Sequence, residues 1–359
     1  MNTIDLKLKK YFKGKKVFIT GHTGFKGSWL SYLLHKVGAE VMGYALKPKS
    51  DNDHFCLLNL QEKINHVEGD ITDSEHLNKK IINFQPDYVF HLAAQALVHY
   101  SYANPFETYS VNVMGSLNLL DAVKNTSSIR SLIYVTSDKC YENIEINRGY
   151  HEEDTLGGQD PYSSSKAAAE ILFSSYYRSF LSDKNSLGAA SVRAGNVIGG
   201  GDWSANRIIP DCIKAIEKDI PILLRHPNAT RPWQHVLEPL SGYLLLASKL
   251  YDNPSKFYGS WNFGPSHNDS ITVKQIASLI IENLGKGTIE IQEPEKNIHE
   301  AKLLQLNCTK AKKLLNWHSR WDSKKTLQST ADWYKSIMNG EKAEDITFKQ
   351  ICEFFPEIK

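Results

Sequence analysis

Short apolar runs of strand length alternate with stretches of helical periodicity through most of the chain. Lys16-Val-Phe-Ile-Thr20 is the first such run, and Leu30, Leu33, Leu34 and Val37 then recur at i, i+3, i+4 and i+7, one apolar helical face. Further strands are expected over Glu40 to Leu46, Ile64 to Asp70 and Tyr88 to Ala94, with a short helix over Leu77 to Phe84. A long helix is expected from about Glu107 to Asn125, with Val113, Leu117 and Leu120 on one face; a fifth strand, Ser131 to Ser137, follows. Pro161 suits a helix start and the alanines after it suit a helix body. Later, Pro239 to Leu250 reads as a helix and Trp261 to Gly264 as a return to the main sheet. Thr272 to Leu284 and Thr326 to Ile337 read as helices that close the chain. Strands that alternate with helices predict an α/β fold with a doubly wound parallel sheet.

The joint between the first strand and first helix is Gly21-His-Thr-Gly-Phe-Lys-Gly27, a G-x-x-G-x-x-G turn. Glycine at these places permits a tight turn, close approach of a pyrophosphate and packing of the helix on the strand. The helix start adds free N–H groups and positive dipole. With the second strand completing a β-α-β unit, the turn reads as a dinucleotide (Rossmann) site. Small residues at the end of the fourth strand leave room for a cofactor to lie across it. Asp70 reads two ways, as an acceptor for an adenine amino group or as an N-cap. An acid near the end of the second strand would select NAD and a base NADP, but Tyr44-Ala-Leu-Lys47-Pro-Lys49 holds no acid. Lys47 reads either as a lean toward NADP or as a solvated lysine; the expectation is that both cofactors bind and NAD is used.

Composition narrows the function class. The chain has 359 residues, enough for one large or two medium domains, and its formal charge of +2 comes from interspersed residues of both signs. That balance argues against a nucleic-acid partner. The longest apolar runs are strand-length, too short to span a bilayer, so no membrane association is expected. The stretch MNTIDLKLKKYFKGKK lacks the apolar core of a secretory signal, which predicts a cytoplasmic location. The five cysteines, 56, 140, 212, 308 and 352, form no C-x-x-C pair, so neither a disulfide framework nor a metal site is expected.

The fifth strand runs into Ser137-Asp138-Lys139-Cys140-Tyr141, which brings a hydroxyl, a carboxylate and an amine to the carboxyl edge of the sheet, where substrates sit. Tyr162 and Lys166 lie four apart on the next helix and share a face. An ammonium close to the phenol would pull it below its ordinary pKa of about 10, making Tyr162 a base for a sugar hydroxyl. Downstream, Gly199-Gly-Gly201 reads as a mobile loop, Asn196 offers an amide to a diphosphate, and Arg225 and Arg231 offer guanidinium forks, one of them read as only a surface arginine. Trp203 and Trp233 read as a stacking platform for a base or as core, and His235 as structural.

These parts resemble the extended short-chain dehydrogenase/reductase superfamily over essentially the full chain. Within it, four stretches look like the CDP-glucose 4,6-dehydratase family nearly letter for letter. They are Gly21-His-Thr-Gly-Phe-Lys-Gly27-Ser-Trp, Thr136-Ser-Asp-Lys-Cys-Tyr141, Val192-Arg-Ala-Gly-Asn196-Val-Ile-Gly-Gly-Gly-Asp-Trp203 and Arg231-Pro-Trp-Gln-His-Val-Leu-Glu-Pro-Leu-Ser-Gly242. The discriminating letter is Lys139, since related dTDP-glucose dehydratases carry glutamate there. The resemblance implies a Rossmann domain over 1–198 plus 234–264 and a smaller nucleotide-sugar-binding domain over 199–233 plus 265–359. It implies that NAD is held by Gly21, Thr23, Gly24, Phe25, Gly27, Asp70, Ile71, Leu92, Ala93 and Ala94 together with Tyr162 and Lys166. The substrate, CDP-glucose, would meet Gln95, Ser137, Asn196, Arg207, Arg225 and Arg231.

The reaction implied is oxidation of C4 with hydride passing to NAD, loss of water across C5 and C6, and return of hydride to C6. Tyr162 would take the O4 proton, Ser137 would hydrogen-bond O4, and Asp138 would be the acid toward the departing C6 hydroxyl. Lys139 would serve either as the C5 base, neutralised by burial beside Lys166, or as a charged stabiliser of the enolate. A 4-epimerase would share the glycine turn and the Tyr162–Lys166 pair without needing Asp138 and Lys139, and a non-catalytic redox sensor would have lost the tyrosine. The resemblance also implies a homodimer or homotetramer. Tyr176, Tyr177 and Phe180 suit such a contact, or equally the chain's own core.

Overall fold

The computed structural model describes residues 7–146, 148–184, 186–265, 271–292 and 303–358. The first six residues of the stretch read as lacking a secretory signal lie outside these, as do 266–270, 293–302 and 359 of the expected sugar-binding segment.

Seven parallel strands form the central sheet: β1 (Lys16–Thr20), β2 (Glu40–Ala45), β3 (Asn65–Glu68), β4 (Tyr88–His91), β5 (Ser131–Val135), β6 (Gly188–Ala194) and β7 (Gly259–Phe263). Their order is β7-β6-β5-β4-β1-β2-β3. The chain winds outward from β1 to β3, then crosses back to lay β4 on the other side of β1. The strand order therefore reverses between β1 and β4, and ligand crevices open at the carboxyl ends of such a junction. Alternate residues feed opposite faces. Val17 and Ile19, Tyr88 and Phe90, and Ile133 enter one apolar core, while Phe18, Val89, Leu132 and Tyr134 enter the other. All seven positions of β6 are buried, as a strand covered on both sides requires.

The expected elements are present, with two differences. Strands β4 and β5 stop at His91 and Val135, because the residues beyond them leave the ladder to form loops at the carboxyl edge. The single helix expected over 107–125 is instead Pro105–Tyr109, a wider π turn over Ser110–Gly115, and Ser116–Lys124, with a further short helix at Val98–Ala103. Within the π turn, Asn112 donates to the Gln95 carbonyl at 3.0 Å and to Ser165 Oγ at 2.9 Å. Gly115 there packs so closely that a Cβ would lie 2.5 Å from Ile71. A regular helix gives no such local widening.

After β6 the chain builds outward. Val197–Ile198 pairs with Gln234–His235, Thr230–Arg231 with Ile271–Thr272, and Ile222–Leu224 with Ile289–Ile291. The helices Val273–Leu284, Ser323–Met338 and Ala343–Phe354 complete this part. One apolar core runs through both parts, joining Val17 and Trp29 to Trp333 and Ile351. At the seam, Trp29 Nε1 donates to the Gly200 carbonyl at 2.9 Å, and the His54 ring lies between Trp29 and Trp333, 4.9 and 5.6 Å away. No helix among the described residues is long and apolar enough to cross a membrane.

Candidate active site

A cavity of about 1590 Å³ follows the carboxyl edge of the sheet across the strand-order reversal, and every site residue expected from the sequence lies on its wall. One end is built from the glycine turn. Gly21 has φ +76, and a Cβ there would lie 2.7 Å from the Ala93 nitrogen. At Gly27 a Cβ would fall 2.1 Å from the Gly21 carbonyl oxygen. Backbone and backbone thus close on each other as a phosphate cradle requires. The helix Phe25–Val37 starts at Gly24, whose lack of a side chain leaves the first-turn N–H groups without a side-chain cap. Thr23 fastens the turn by donating to the Leu46 carbonyl at 3.0 Å. These residues fit a dinucleotide diphosphate.

Leu92, Ala93 and Ala94 form the floor beyond β4. Their approach is set by a buried hydrogen-bonded chain that nothing in the local sequence signals. Thr20 Oγ1 lies 2.7 Å from His91 Nδ1 and accepts from the Leu92 and Ala93 nitrogens, both at 3.2 Å; His91 Nε2 lies 2.9 Å from Ser116 Oγ. Burial pushes His91 down to about 3, so the imidazole stays neutral. Asp70 faces the cavity beside Ile71 and accepts from the Thr72 nitrogen at 2.8 Å and its hydroxyl at 2.7 Å. The N-cap of the helix that follows is Asp73, which accepts from His76 N. Lys47 stands on the rim, 77% exposed, with Nζ 3.5 Å from Glu68 Oε2; β3 thus brings an acid to the place where β2 has none.

The catalytic groups gather where β5 ends. Ser137 Oγ accepts from the Lys139 nitrogen at 3.3 Å and donates to Asp138 Oδ1 at 3.0 Å. Asp138 is buried, and Lys139 Nζ lies 3.2 Å from the same oxygen. Across from it, a Cβ on Gly195 would lie 2.8 Å from Asp138 Oδ2, so only glycine leaves the acid its position. Tyr162 arrives on Pro161–Tyr176, a helix capped by Asp160 with proline in its first turn, and its nitrogen donates to Ser101 Oγ at 3.2 Å.

Two expectations about charge are corrected. Tyr162 is raised above its ordinary value, because burial, with the charge of Asp138 adding to it, outweighs the charge of Lys139, a hydrogen bond with Ser137 and the charge of Arg207. The lysine with the largest effect on it is Lys139, from the neighbouring loop. The burial expected around Lys139 surrounds Lys166 instead; that amine is pushed down to about 8 by burial, with Cys140 and Glu170 acting the other way. Lys139 itself is one-third exposed and ion-paired.

Beneath this group lies a buried ion pair that the sequence reading missed. Glu170, one turn beyond Lys166, meets Arg193 of β6 through two parallel bonds, Nε to Oε1 and Nη2 to Oε2, both 2.8 Å. Thr136 and Ser191 also donate to this carboxylate. Burial pushes Glu170 up, but Arg193 and these donors more than offset it and hold it below the usual carboxylate value. Arg193 and Glu170 are 23 positions apart and a salt bridge here depends on the sheet bringing β6 under the helix; the sequence holds only the two letters.

Arg207, Arg225, Arg231 and Asn196 also line the cavity, and Arg207 is near enough to the catalytic groups for its charge to act on Tyr162. Arg207 Nη1 lies 2.8 Å from Asp202 Oδ2, and Arg231 Nη1 donates to its neighbour's carbonyl at 3.0 Å. The Gln95 amide is spent within its own loop, donating to the Leu97 carbonyl and Thr108 Oγ1 and accepting from the Leu97 nitrogen. Trp203 and Trp233 line the cavity, Trp203 edge-on to Tyr334 at 5.3 Å. His235 is buried between Trp29 and Trp321. Among the described residues no three His, Cys, Asp or Glu side chains converge on a metal position.

A model of the GDP-mannose 4,6 dehydratase family matches residues 18–330. The CDP-glucose 4,6-dehydratase of Salmonella typhimurium strain LT2 is 45% identical over 350 residues, which is 96% of this chain and 98% of that protein. Among solved structures, the dTDP-glucose 4,6-dehydratase of Bacillus anthracis in complex with NAD superposes with a TM-score of 0.76 at 24% identity, covering 92% of this chain and 99% of the other. An epimerase from Methanothermobacter thermautotrophicus superposes at 0.79 and 24% identity over 92% and 95%.

Proposed function

The chain belongs to the GDP-mannose 4,6 dehydratase family, and on that premise we propose that it is a lyase converting CDP-D-glucose to CDP-4-dehydro-6-deoxy-D-glucose and water. The observation that carries this is the meeting of a dinucleotide cradle and the Ser137, Asp138, Lys139, Tyr162 and Lys166 group in one cavity, joined to the 45% identity with a CDP-glucose 4,6-dehydratase. NAD in the cradle supplies reversible hydride acceptance, so the conversion has no net redox change.

The chain's own residues do the proton work. Tyr162 takes the O4 proton and Ser137 hydrogen-bonds that oxygen as charge develops on it. The 4-ketone acidifies C5. Asp138 gives a proton to the C6 hydroxyl as it departs. Lys139, ion-paired with Asp138 and partly exposed, is assigned to stabilising the C5 enolate, and the C5 proton passes to water. Arg207, Arg225 and Arg231 hold the substrate diphosphate.

We assign 1–198 plus 234–264 to the cofactor and 199–233 plus 265–359 to the nucleotide-sugar; in support, all seven strands of the main sheet fall within the first set. We assign the protein to the cytoplasm and to a homodimer or homotetramer. Burial of Tyr176 and Tyr177 leaves Tyr109, Met114, Ile171 and Phe180 as the exposed large apolar residues of the helices that would pair.

Separate incubation with CDP-, UDP-, dTDP- and GDP-glucose tests the reading: a 4-keto-6-deoxy sugar is expected from CDP-glucose. A C4 epimer would make the chain an epimerase, and no turnover with any of the four would sink the enzyme reading. Titration of the cofactor-free chain with NAD and NADP tests the cofactor; exclusive tight binding of NADP would refute NAD.

A further inference from the structure

Arg207 is the N-cap residue of the helix Ile208–Glu217, and the Asp211 nitrogen donates to its carbonyl at 3.0 Å. Asp211 therefore stands one turn along from Arg207, about 6 Å further up the helix axis. Both residues line the cavity. Arg207 acts by its charge on Tyr162, while Lys214 and Arg225 act on Asp211. No step of the proposed reaction uses this acid.

Among the described residues no cation forms an ion pair with Asp211. Lys214, one turn further along the same helix, spends its amine on the Trp203 carbonyl at 2.7 Å. Burial, with the charge of Asp202 adding to it, raises Asp211 above its ordinary value, and Lys214, Arg225 and the Asn206 N–H draw it back toward the ionised form. A half-buried carboxylate on a cavity wall is costly to leave unpaired, and a ligand that brings a donor relieves that cost.

A nucleotide-sugar is linear: hexose, diphosphate, ribose, base. With the hexose at Tyr162 and the diphosphate on the arginines, the base rests on wall that neither of these uses. Leu223, on the strand Ile222–Leu224 that leads into Arg225, lines the cavity and is 54% exposed. Such an apolar face suits an aromatic ring, and the few polar groups beside it decide which ring is accepted. Cytosine carries an amine at C4, which donates; uracil and thymine carry a carbonyl oxygen there, which accepts. An ionised carboxylate accepts only.

We propose that Asp211 is the specificity-determining residue for the base, its carboxylate accepting a hydrogen bond from the 4-amino group of cytosine. The proposal rests on the reading of the chain as a CDP-glucose 4,6-dehydratase. Uracil or thymine in the same place sets an oxygen against the carboxylate and leaves the acid unpaired, which weakens binding by roughly 10- to 100-fold.

The test is calorimetry of CDP and of UDP on the NAD-loaded chain, unaltered and as Asp211→Asn and Asp211→Ala. The ratio of the UDP to the CDP dissociation constant should fall about tenfold or more in both variants, because neither opposes the uracil oxygen and the asparagine amide can donate to it. A helix-stabilising role alone would weaken both nucleotides equally and leave the ratio where it was. Two variants keep the test open should one fail to fold. A ratio within about twofold of the unaltered value in both, or an equal loss of both nucleotides, overturns the role of Asp211; the dehydratase reading then stands or falls separately, on turnover of CDP-glucose by the unaltered chain. An unaltered chain that dehydrates UDP-glucose as readily as CDP-glucose overturns both.

Discussion

Replacing Gly195 with alanine is a sharp probe of the dehydration step. The backbone at this position lies outside the left-handed region, so alanine meets no backbone strain, and the whole effect comes from its Cβ. That atom would stand 2.8 Å from Asp138 Oδ2 and 3.4 Å from Asp138 Cγ, where ordinary contact begins at 3.4 Å. The acid must retreat by at least 0.6 Å, the difference of those two distances. Its other oxygen is held by Ser137 at 3.0 Å and Lys139 at 3.2 Å, so relief comes as a rotation or shift of the carboxyl and not as free motion. Overpacking of this kind costs about 1–3 kcal/mol of stability, and misplacing a catalytic group by about 1 Å costs on the order of 100-fold in rate. Gly195→Ala should therefore form 4-keto-6-deoxy product about 10- to 100-fold more slowly while Tyr162 still carries out the first half of the reaction. Single-turnover absorbance should show reduced nicotinamide accumulating, because its formation outpaces its consumption. Asp138→Asn should give the same accumulation. Turnover of Gly195→Ala within twofold of the unaltered chain would mean that Asp138 either does not deliver the proton or is not held by this contact, and the assignment would fall.

Three further outcomes follow from the same geometry. Tyr162→Phe should lower turnover by about 100- to 10,000-fold, the usual worth of a general base, with NAD affinity by calorimetry little changed; undiminished turnover would remove the phenol from the mechanism. Glu170→Gln strands Arg193 in the core, and urea unfolding should show a loss of about 3–5 kcal/mol; a loss below 1 kcal/mol would mean that water reaches the guanidinium. Burial holds His22, His54, His91 and His235 each near 3 in the folded chain, so below pH 6.5 the unfolded chain takes up protons that the folded one refuses. Their stability contribution is complete above pH 6.5 and is lost as pH falls toward 3, about 2 kcal/mol for each by pH 5. Glu238, raised to about 7 by burial, works the other way between 4.5 and 7 but is one group against four; a urea midpoint that stays level from pH 7 to pH 5 would refute this.

The parts of the molecule that could be read from the letters are those whose physics is local. The glycine turn, the Pro161 start of the catalytic helix and the apolar run of β1 each depend on residues a few positions apart, and each is found where the sequence places it. What could not be read depends on partners distant in sequence. The direction of the Tyr162 shift is a balance of burial against Lys139 and Arg207, which reach it from other segments. The Glu170–Arg193 pair exists because β6 passes beneath the catalytic helix, and the Asp138–Gly195 contact because β5 and β6 end side by side. The π turn at Ser110–Gly115 is written in Asn112 and Gly115, but only against Gln95, Ser165 and Ile71 do those residues acquire a reason.

The ladder of rings from Trp29 through His54 to Trp333 carries a lesson for anyone who would cut this protein in two. A fragment ending after β7 would take Trp333 away from His54 and Trp321 away from His235, the two rings that pack on Trp29, and the nucleotide cradle rests on the helix that carries Trp29. The seven strands are no detachable cassette onto which a sugar pocket was later fastened. Grafting a different pocket would succeed only if the new part supplied its own wedge against His54 and His235.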